Sequence, residues 1–412
     1  MSLFPESARP SQRKQGILPS QDIAELIRNG RIRYRVEISN DQIQPASIDL
    51  RLGNVAYQVE ASFLPNPSST ITAKIRELKV EELDLSRSAK LEQGKVYVVP
   101  LMESLALPAD MTAKANPKST TGRLDVFVRL MTDGGVQFED VPTGYSGDIY
   151  VEIVPRTFPI IVQAGTKLNQ LRFWRGKTER DDDELRKIAL KDKLVFYENG
   201  DGPGQPPHGE EAPAAGHDNG EEAAEAIIDK GLRLSADLQG SDKLAVVAYK
   251  AKPNSVPIDL SKLREYDPVD YWEAIANLGG KRMVLERGDF YLLASRERIR
   301  VPPKCAAEME AYDPSLGEFV VHYAGFFDPG FGYGQRGEIR GTKAVLEVRA
   351  HEVPILLEHR QPIGRLVYYK MADPPQALYG QSIGSSYQQQ GLALSKQFKA
   401  AHFTGPLATA IR

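Results

Sequence analysis

An internal similarity constrains this chain more than any other feature of its sequence. LEQGKVYVVP at 91–100 pairs with LERGDFYLLA at 285–294, an offset of 194 residues. After a slip of one residue the offset stays at 195 and pairs Glu152 with Glu347. A nearly constant offset over about 80 residues predicts a tandem duplication, in which one fold occurs twice.

Composition marks the boundary between the two predicted copies. Residues 199–222 contain six Gly, four Pro and six acidic residues, without Lys, Arg or aromatic residues. Such a segment cannot bury enough apolar surface to offset its ordering entropy, so it is predicted to be a flexible acidic linker. We therefore predict a first half at 1–198 and a second half at 223–412.

Both halves are predicted to be mainly β. Apolar segments rich in Val, Ile, Tyr and Phe, such as KVYVVPL and DIYVEIV, are interrupted at short intervals by Gly, Pro and Asp. This pattern is typical of a compact antiparallel barrel or jelly roll. A few helices are expected, at 19–30 with Ser20 as the N-cap, at 180–190, and at 267–280 in an insertion of the second half.

Composition and charge exclude several functional classes. A formal net charge of −3 gives no field that would attract nucleic acid or an anionic membrane. No apolar stretch is long enough to span a bilayer, and the first residues lack the apolar region of a secretory signal. The single cysteine, Cys305, excludes a disulfide scaffold and a thiolate-rich zinc site. We expect a soluble, cytoplasmic protein with no nucleic-acid or membrane partner.

Three segments of the first half contain residues that could carry chemistry. They are QPASIDLRLG at 44–53 with Asp49, PKSTTGR at 117–123, and GYSGDIYVEI at 144–153 with Glu152. Each has a structural alternative: a hydrogen-bonding Asp, a solvated turn, or an outward-facing strand Glu. Yet free amides, hydroxyls and cations are what a phosphate-bearing ligand requires. A buried strand Glu would have a raised pKa and would need a partner or a catalytic task.

Together with GTKLNQLRF at 165–173 and SSYQQQGLALSK at 385–396, these segments resemble the dCTP deaminase branch of the trimeric dUTPase-like family. The resemblance covers about 15–175, with a weaker echo in 230–400. It implies two dUTPase-like β-barrel domains and a zinc-free deamination of dCTP to dUTP and ammonia. Zinc-dependent deaminases need His and Cys ligands that one cysteine cannot supply, so a carboxylate would have to activate the water.

The resemblance also implies a role for individual residues. Glu152 matches the general base that takes a proton from water, and Ser119 and Arg123 match residues that position the water, the base and the carboxylate. Lys118 stands where the family usually has Arg, so its phosphate contact would be monodentate. Mg²⁺ would arrive with the triphosphate. Further substrate-binding residues are Thr120, Asp133, Gln170 and, in an arm that closes over the nucleotide, Tyr387, Gln389 and Gln390.

The second half is expected to be a degenerate copy. We call PKSTTGR at 117–123 the cationic segment. Opposite it the second half reads YDPSLGE at 312–318, without the Lys and with an acidic residue. It retains Glu347, FDPGF at 327–331 and the arm, so whether it is active stays open. We expect the first half to supply the catalytic groups and the second half to supply structure and the lid. A homo-oligomer, with a six-domain trimer as one candidate, follows from the family's trimers.

Two other functions are compatible with the sequence. A dUTP pyrophosphatase, or a bifunctional enzyme that releases dUMP, would use a carboxylate-activated water at the phosphates, for which Asp133 is near enough in sequence to be considered. A deoxynucleotide-binding regulator without turnover would explain the degraded second half.

Overall fold

The computed structural model describes residues 14–64, 66–198, 226–240, 246–277, 280–311, 319–321, 325–350, 352–380, 388, 390–400 and 408–409. The predicted linker, the 312–318 segment, Tyr387 and Gln389 lie outside these residues. Within them the chain is mainly β with a few short helices, so the predicted fold class is confirmed.

The elements of the first half follow in chain order. They are β1 (Gly16–Ile17), α1 (Ser20–Arg28), β2 (Ile32–Tyr34), a 3-10 turn (Asn40–Gln42), β3 (Ile48–Arg51), β4 (Val55–Val59), α2 (Ile71–Leu78), β5 (Lys79–Asp84), β6 (Ala89–Leu91), β7 (Val96–Ala106), β8 (Thr112–Pro117), α3 (Ser119–Gly122), β9 (Val126–Thr132), β10 (Asp140–Val141), β11 (Ser146–Pro155), β12 (Ile160–Val162), β13 (Lys167–Arg175), α4 (Asp182–Asp192) and β14 (Val195–Phe196).

The second half continues the same alternation of short strands and turns. Its elements are β15 (Leu232–Ser235), β16 (Val246–Ala251), β17 (Ile258–Asp259), α5 (Pro268–Tyr271), β18 (Trp272–Ala276), β19 (Arg282–Leu285), β20 (Phe290–Ile299), β21 (Cys305–Ala311), β22 (Phe319–Val321), β23 (Phe326–Phe327), β24 (Thr342–Ala350), β25 (Ile355–Glu358), β26 (Pro362–Lys370) and β27 (Ala408–Thr409).

Two of the predicted helices form, and one is wrong for most of its length. The helices predicted at 19–30 and 180–190 appear as α1 and α4. The N-cap of α1 is Pro19 rather than Ser20, because the Pro19 carbonyl accepts the first helical hydrogen bonds. At 267–280 the helix is only the single turn α5, and the chain continues as β18 because these residues pair with β16.

Each half packs a pair of larger sheets around its apolar residues. In the first half the sheets run β5-β4-β7-β11-β9, with β2 on β7, and β1-β13-β8-β10, with β3 on β13. In the second half they run β22-β24-β20-β16-β18-β27, with β14 on β20, and β15-β26-β21-β23. Glu152 lies on β11 and Glu347 on β24, and each of these strands is flanked on both sides. The two carboxylates therefore occupy comparable positions in the sheets of the two halves.

Backbone pairing joins the two halves. Strand β17 of the second half runs parallel to β12 of the first, with Ile160 opposite Ile258. Strand β14 pairs with β20, with Val195 opposite Ile299. One continuous core of buried residues contains side chains from both halves. The interface is therefore part of the fold and includes shared sheets.

A cluster of aromatic rings fills part of this interface. Phe158 of the first half is fully buried and makes edge contacts with Tyr271 and Trp272, with ring centroids 5.8 and 5.3 Å apart. Trp272 also packs against Phe398, 6.0 Å away. Buried rings in this geometry contribute both apolar burial and a specific edge-to-face attraction. The burial of Trp272 explains why this segment leaves the helical conformation after one turn.

A buried ion pair lies across the same interface. The Arg349 guanidinium on β24 donates to the Asp125 carboxylate, which also accepts a hydrogen bond from the Thr157 hydroxyl at 2.6 Å. Asp125 is fully buried and has a positive φ of 53°. A buried carboxylate without a charged partner is strongly unfavourable. This contact therefore holds β24 against the chain that follows the cationic segment.

We predict that Phe158→Ala destabilises the protein by about 3–5 kcal/mol, because it removes a buried ring and leaves a cavity between the halves. Denaturant unfolding measures the change in the free energy of unfolding. Tyr34→Ala is the control, since that side chain is 46% exposed and should change stability little. Equal stability of the two variants would contradict the structural importance of the aromatic cluster.

Candidate active site

A cavity of about 990 Å³ opens between the two halves. Its size is at the upper end of what small-molecule sites usually enclose. Residues of both halves line it. The lining residues considered below are Asp49, Lys118, Ser119, Thr120, Arg123, Lys167 and Gln170 from the first half, and Asp328, Glu347, Gln390 and Lys396 from the second.

The cationic segment reaches the cavity as one helical turn, α3, directly after β8. Its backbone is fixed because the Lys118 N–H donates to the Leu168 carbonyl oxygen at 2.9 Å, and the Thr121 hydroxyl donates to the same oxygen at 2.9 Å. Lys118 forms an ion pair with Asp49, the aspartate that the sequence placed between apolar neighbours. Ser119 and Thr120 also line the cavity. The segment therefore presents a cation and hydroxyls from a rigid base.

Arg123 ends this segment and contacts the C-terminal part of the second half. It is 2% exposed, and its two terminal nitrogens donate to the Ala393 carbonyl oxygen and to Gln390 Oε1, both at 2.9 Å. The Ser395 hydroxyl donates to the Thr120 carbonyl oxygen at 2.9 Å. The described part of the arm, including Gln390, thus covers the cationic segment.

Glu347 contributes a buried carboxylate to the same cavity. It is 6% exposed, and on β20 its neighbour is the apolar Leu292. Burial raises its pKa to about 7, the Arg123 guanidinium opposes this rise, and the Asp125 carboxylate adds to it. A carboxylate with a pKa near neutrality can accept a proton and release it again at physiological pH.

Asp328 is a second buried carboxylate in the lining. It is 7% exposed and lies in the FDPGF segment, directly after β23. Burial raises its pKa, whereas the charge and hydrogen bond of Arg172 lower it. Nearby Asp49 raises the pKa of Asp328 further, and Lys118 lowers it. The Asp328 carboxylate therefore lies among charged groups from three strands or turns of the first half.

The structure does not place Glu152, the general base that the resemblance implies, in the lining of this cavity. Its carboxylate is 1% exposed and pairs with Arg129, which lies opposite it on β9. The Arg129 guanidinium also stacks on Phe138, 3.7 Å from the ring centroid, and donates to the Ser62 hydroxyl at 3.0 Å. Glu152 is thus held by a neighbouring cation on the face of β11 that α2 and its flanking chain cover.

Asp133 does not line the cavity either. Its carboxylate accepts a hydrogen bond at 2.7 Å from the N–H of Ile71, the first residue of α2. A carboxylate at a helix N-terminus satisfies a free amide and interacts favourably with the helix dipole. Asp133 therefore has a structural partner, whereas Asp328, which stands 195 residues later, faces the cavity.

Of the other predicted residues, some line the cavity and some lie outside the described part of the chain. The structure brings together Lys118, Ser119, Thr120, Arg123, Gln170 and Gln390 in the cavity lining. Gln170 is 8% exposed and its Oε1 accepts from the Ser47 hydroxyl at 3.3 Å. Tyr387 and Gln389 lie outside the described residues.

From the sequence the activity of Glu347 stays open, and no site role is assigned to Asp328 or Lys396. Asp328 and Glu347 carry a signal, because they are the counterparts of Asp133 and Glu152 at the offset of 195. At the same offset from Arg129 the sequence of the second half has Ala324, so the arginine that pairs with Glu152 has no counterpart in the sequence. Lys396 carries no comparable signal, since its position depends on how the arm folds back.

In the described part of the chain, no helix is long and apolar enough to cross a membrane. The same residues include no group of three or more His, Cys, Asp or Glu side chains arranged to hold a metal ion.

Comparison with known families gives two adjacent matches. Residues 14–177 match the N-terminal domain of 2'-deoxycytidine 5'-triphosphate deaminase, and residues 215–398 match the C-terminal domain. A "dCTP deaminase, dUMP-forming" from Dictyoglomus thermophilum is 26% identical over 191 residues, which cover 45% of this chain and 92% of that protein. A "dCTP deaminase" from Haloarcula marismortui is 30% identical over 171 residues, covering 40% of this chain and 83% of that protein.

A solved structure extends the similarity across both halves. The crystal structure of 2'-deoxycytidine 5'-triphosphate deaminase from Agrobacterium tumefaciens is 44% identical and superposes with a TM-score of 0.76. The match covers 87% of this chain and all of the Agrobacterium chain. Because a relative at this identity is covered over its whole length, the chain belongs to the 2'-deoxycytidine 5'-triphosphate deaminase family.

Proposed function

We propose that the chain catalyses the hydrolytic deamination of dCTP to dUTP and ammonia in the cavity between its halves. The observation that carries the proposal is the buried Glu347 carboxylate, which shares this cavity with Ser119 and Arg123. Family membership supports the substrate and the reaction. A carboxylate with a titrating proton is better suited to turnover than to binding alone, so an enzyme is favoured over a regulator.

Glu347, rather than Glu152, is our candidate general base. As a carboxylate it would take a proton from a water molecule while the water oxygen bonds to the amine-bearing ring carbon of cytosine. The protonated Glu347 would then return the proton toward the leaving amine, so that ammonia departs and the ring retains an oxygen. Ser119 and Arg123 would donate hydrogen bonds to the tetrahedral centre and hold the base.

Three lysines would bind the triphosphate. Lys118, Lys167 and Lys396 all line the cavity. Burial lowers the pKa of Lys396 most, the charges of Lys118 and Lys167 lower it further, and the Asp49 carboxylate opposes them. Ammonium groups that repel one another in this way are stabilised by a polyanion. The gathered positive charge thus supports a triphosphate ligand.

Mg²⁺ fits this arrangement as a companion of the nucleotide. The carboxylates at the lysine end of the cavity, Asp41 and Asp49, are each in an ion pair with Lys167 and Lys118 respectively. The ion's ligands would therefore be phosphate oxygens and water, and its chemistry would be to neutralise phosphate charge. The trimeric assembly expected from the family stays a prediction, which the molar mass in solution would test.

We predict opposite outcomes for the two matched glutamates. Glu347→Gln should lower kcat for ammonia release from dCTP by about 10²–10⁴-fold, because the amide cannot accept the proton. Glu152→Gln should leave kcat close to the wild-type value, since that carboxylate has a structural partner. An inactive Glu152→Gln variant beside an active Glu347→Gln variant would restore the assignment expected from sequence.

The acid limb of the pH profile should report Glu347. Its pKa in the folded protein is raised to about 7, so protonation removes the base as the pH falls through this value. We expect kcat/KM for dCTP to fall about tenfold per pH unit below this point. Ammonia release measured at constant ionic strength gives the profile. A profile that stays flat down to about pH 5 would rule out this role, and the residual activity of Glu347→Gln should lack the limb.

The product distinguishes the proposal from a dUMP-forming enzyme. Asp133, the carboxylate considered for water activation at the phosphates, binds the N-terminus of α2 instead. We therefore expect one ammonia and one dUTP for each dCTP consumed, with no pyrophosphate. Chromatography of the nucleotides and a coupled pyrophosphate assay measure both. Pyrophosphate released in step with ammonia would instead establish the bifunctional reaction.

A further inference from the structure

Arg172 is a buried cation that does not line the cavity between the two halves. It lies on β13 of the first half, where its side chain is 1% exposed. Its counterpart at the offset of 195 is Val367 on β26, which is also buried. The strand position is therefore compatible with a plain apolar side chain, so the fold by itself does not explain an arginine there.

Among the described residues, the hydrogen bonds of the Arg172 guanidinium go to groups of the second half. It donates to the Ala307 carbonyl oxygen at 3.0 Å, to the Phe327 carbonyl oxygen at 3.4 Å and to Asp328 Oδ1 at 2.9 Å. Its plane packs over the ring of Phe326, 4.0 Å from the centroid. A planar group with several fixed donors can hold a carboxylate in one orientation, which a lysine cannot do equally well.

The group that Arg172 holds is a cavity carboxylate. Asp328 follows β23 directly, and the backbone then turns sharply at Gly330, whose φ is +100°. A side chain at Gly330 would collide with the backbone nitrogen of Tyr379 at 2.7 Å, so this turn has little room to adjust. Arg172 contacts both the residue before the turn and the first residue within it. One guanidinium therefore contacts both the backbone that leads into the turn and the carboxylate that lines the cavity.

We propose that Arg172 is a positioning residue, which holds the Asp328 carboxylate ionised and directed at a hydrogen-bond donor of the bound nucleotide. This inference rests on the proposed function for the identity of the ligand. Asp328 is faced by Arg172 on β13, by Asp49 on β3 and by Lys118 after β8. Among these groups Arg172 has the largest favourable effect on the ionised form of Asp328.

The test measures the Kd of dCTP by calorimetry in the Glu347→Gln background, in which we expect the substrate to be consumed about 10²–10⁴-fold more slowly. Arg172→Val copies the residue of the second half and should weaken binding about 10- to 100-fold, because a hydrogen-bonded charge is lost. Asp328→Asn should weaken binding similarly. In the double variant the second substitution should add less than about threefold, because both remove the same interaction. An unchanged Kd in Arg172→Val, or fully multiplicative effects, would overturn the proposal.

The pH dependence separates positioning from a merely structural role. Arg172 lowers the pKa of Asp328, so its removal should move the weakening of dCTP binding to higher pH than in the parent protein. Asp328→Asn should remove this shift. The same pH dependence in Arg172→Val and in the parent would contradict the proposal.

Arg300→Met is the matched control for lost packing. Arg300 is 7% exposed, lies 4.4 Å from the ring centroid of Phe196, and donates to the Ile339 carbonyl oxygen at 2.6 Å and to that of Gly337 at 2.8 Å. Arg300→Met should lower the thermal stability of the protein without changing the Kd of dCTP. If Arg172→Val does not fold, Arg172→Lys replaces it; an intermediate Kd supports the proposal, and the parent's Kd overturns it.

Measuring dCTP binding and ammonia release by the wild-type chain separates this proposal from the proposed function. A wild-type chain that binds dCTP without releasing ammonia would end the enzymatic proposal and leave the Kd comparison valid. A wild-type chain that does not bind dCTP would end both.

Discussion

The buried contact between Arg349 and Asp125 fixes the arrangement on which the site depends. Arg349 lies two residues after Glu347 on β24, and Asp125 lies two residues after Arg123. Side chains two apart on a strand point to the same face, so the ion pair of Arg349 fixes the face of β24 that also carries Glu347. Arg123 and Asp125 lie in the turn between α3 and β9, where Asp125 has a positive φ of 53°. The cation that would stabilise the reaction and the carboxylate that would start it are thereby brought together from opposite halves. The interface between the halves is thus itself part of the site.

Similar positions in the two halves have acquired different tasks through their neighbours. In the first half, Arg129 neutralises Glu152, and Asp133 satisfies the N-terminus of α2. In the second half, Glu347 and Asp328 face a cavity, and their charges are balanced by arginines of the first half, Arg123 and Arg172. A buried carboxylate needs a partner in either case. Arg129 thus neutralises Glu152 within one sheet, whereas Arg123 and Arg172 act on Glu347 and Asp328 across the interface.

Local patterns predicted the β architecture, two of the helices and the cationic segment, because each depends on residues close together in the chain. The choice between Glu152 and Glu347 depends on contacts between distant segments. The resemblance was clearer in the first half and so favoured Glu152, whereas the pairing of that carboxylate with Arg129 is visible only in the structure. The helix predicted around Trp272 is wrong for a local reason, since a short apolar run suits a helix or a strand. Pairing with β16 and burial against Phe158 decide the outcome.

The division of the cavity between the halves has a consequence for how the chain tolerates mutation. Internal similarity usually suggests that one copy of a segment could compensate for damage in the other. Here the first half contributes the cationic segment to the cavity, and the second half contributes the carboxylates of Asp328 and Glu347. A harmful substitution at Arg123 or at Glu347 would find no spare copy, so the doubled sequence provides no redundancy at the positions where chemistry would occur.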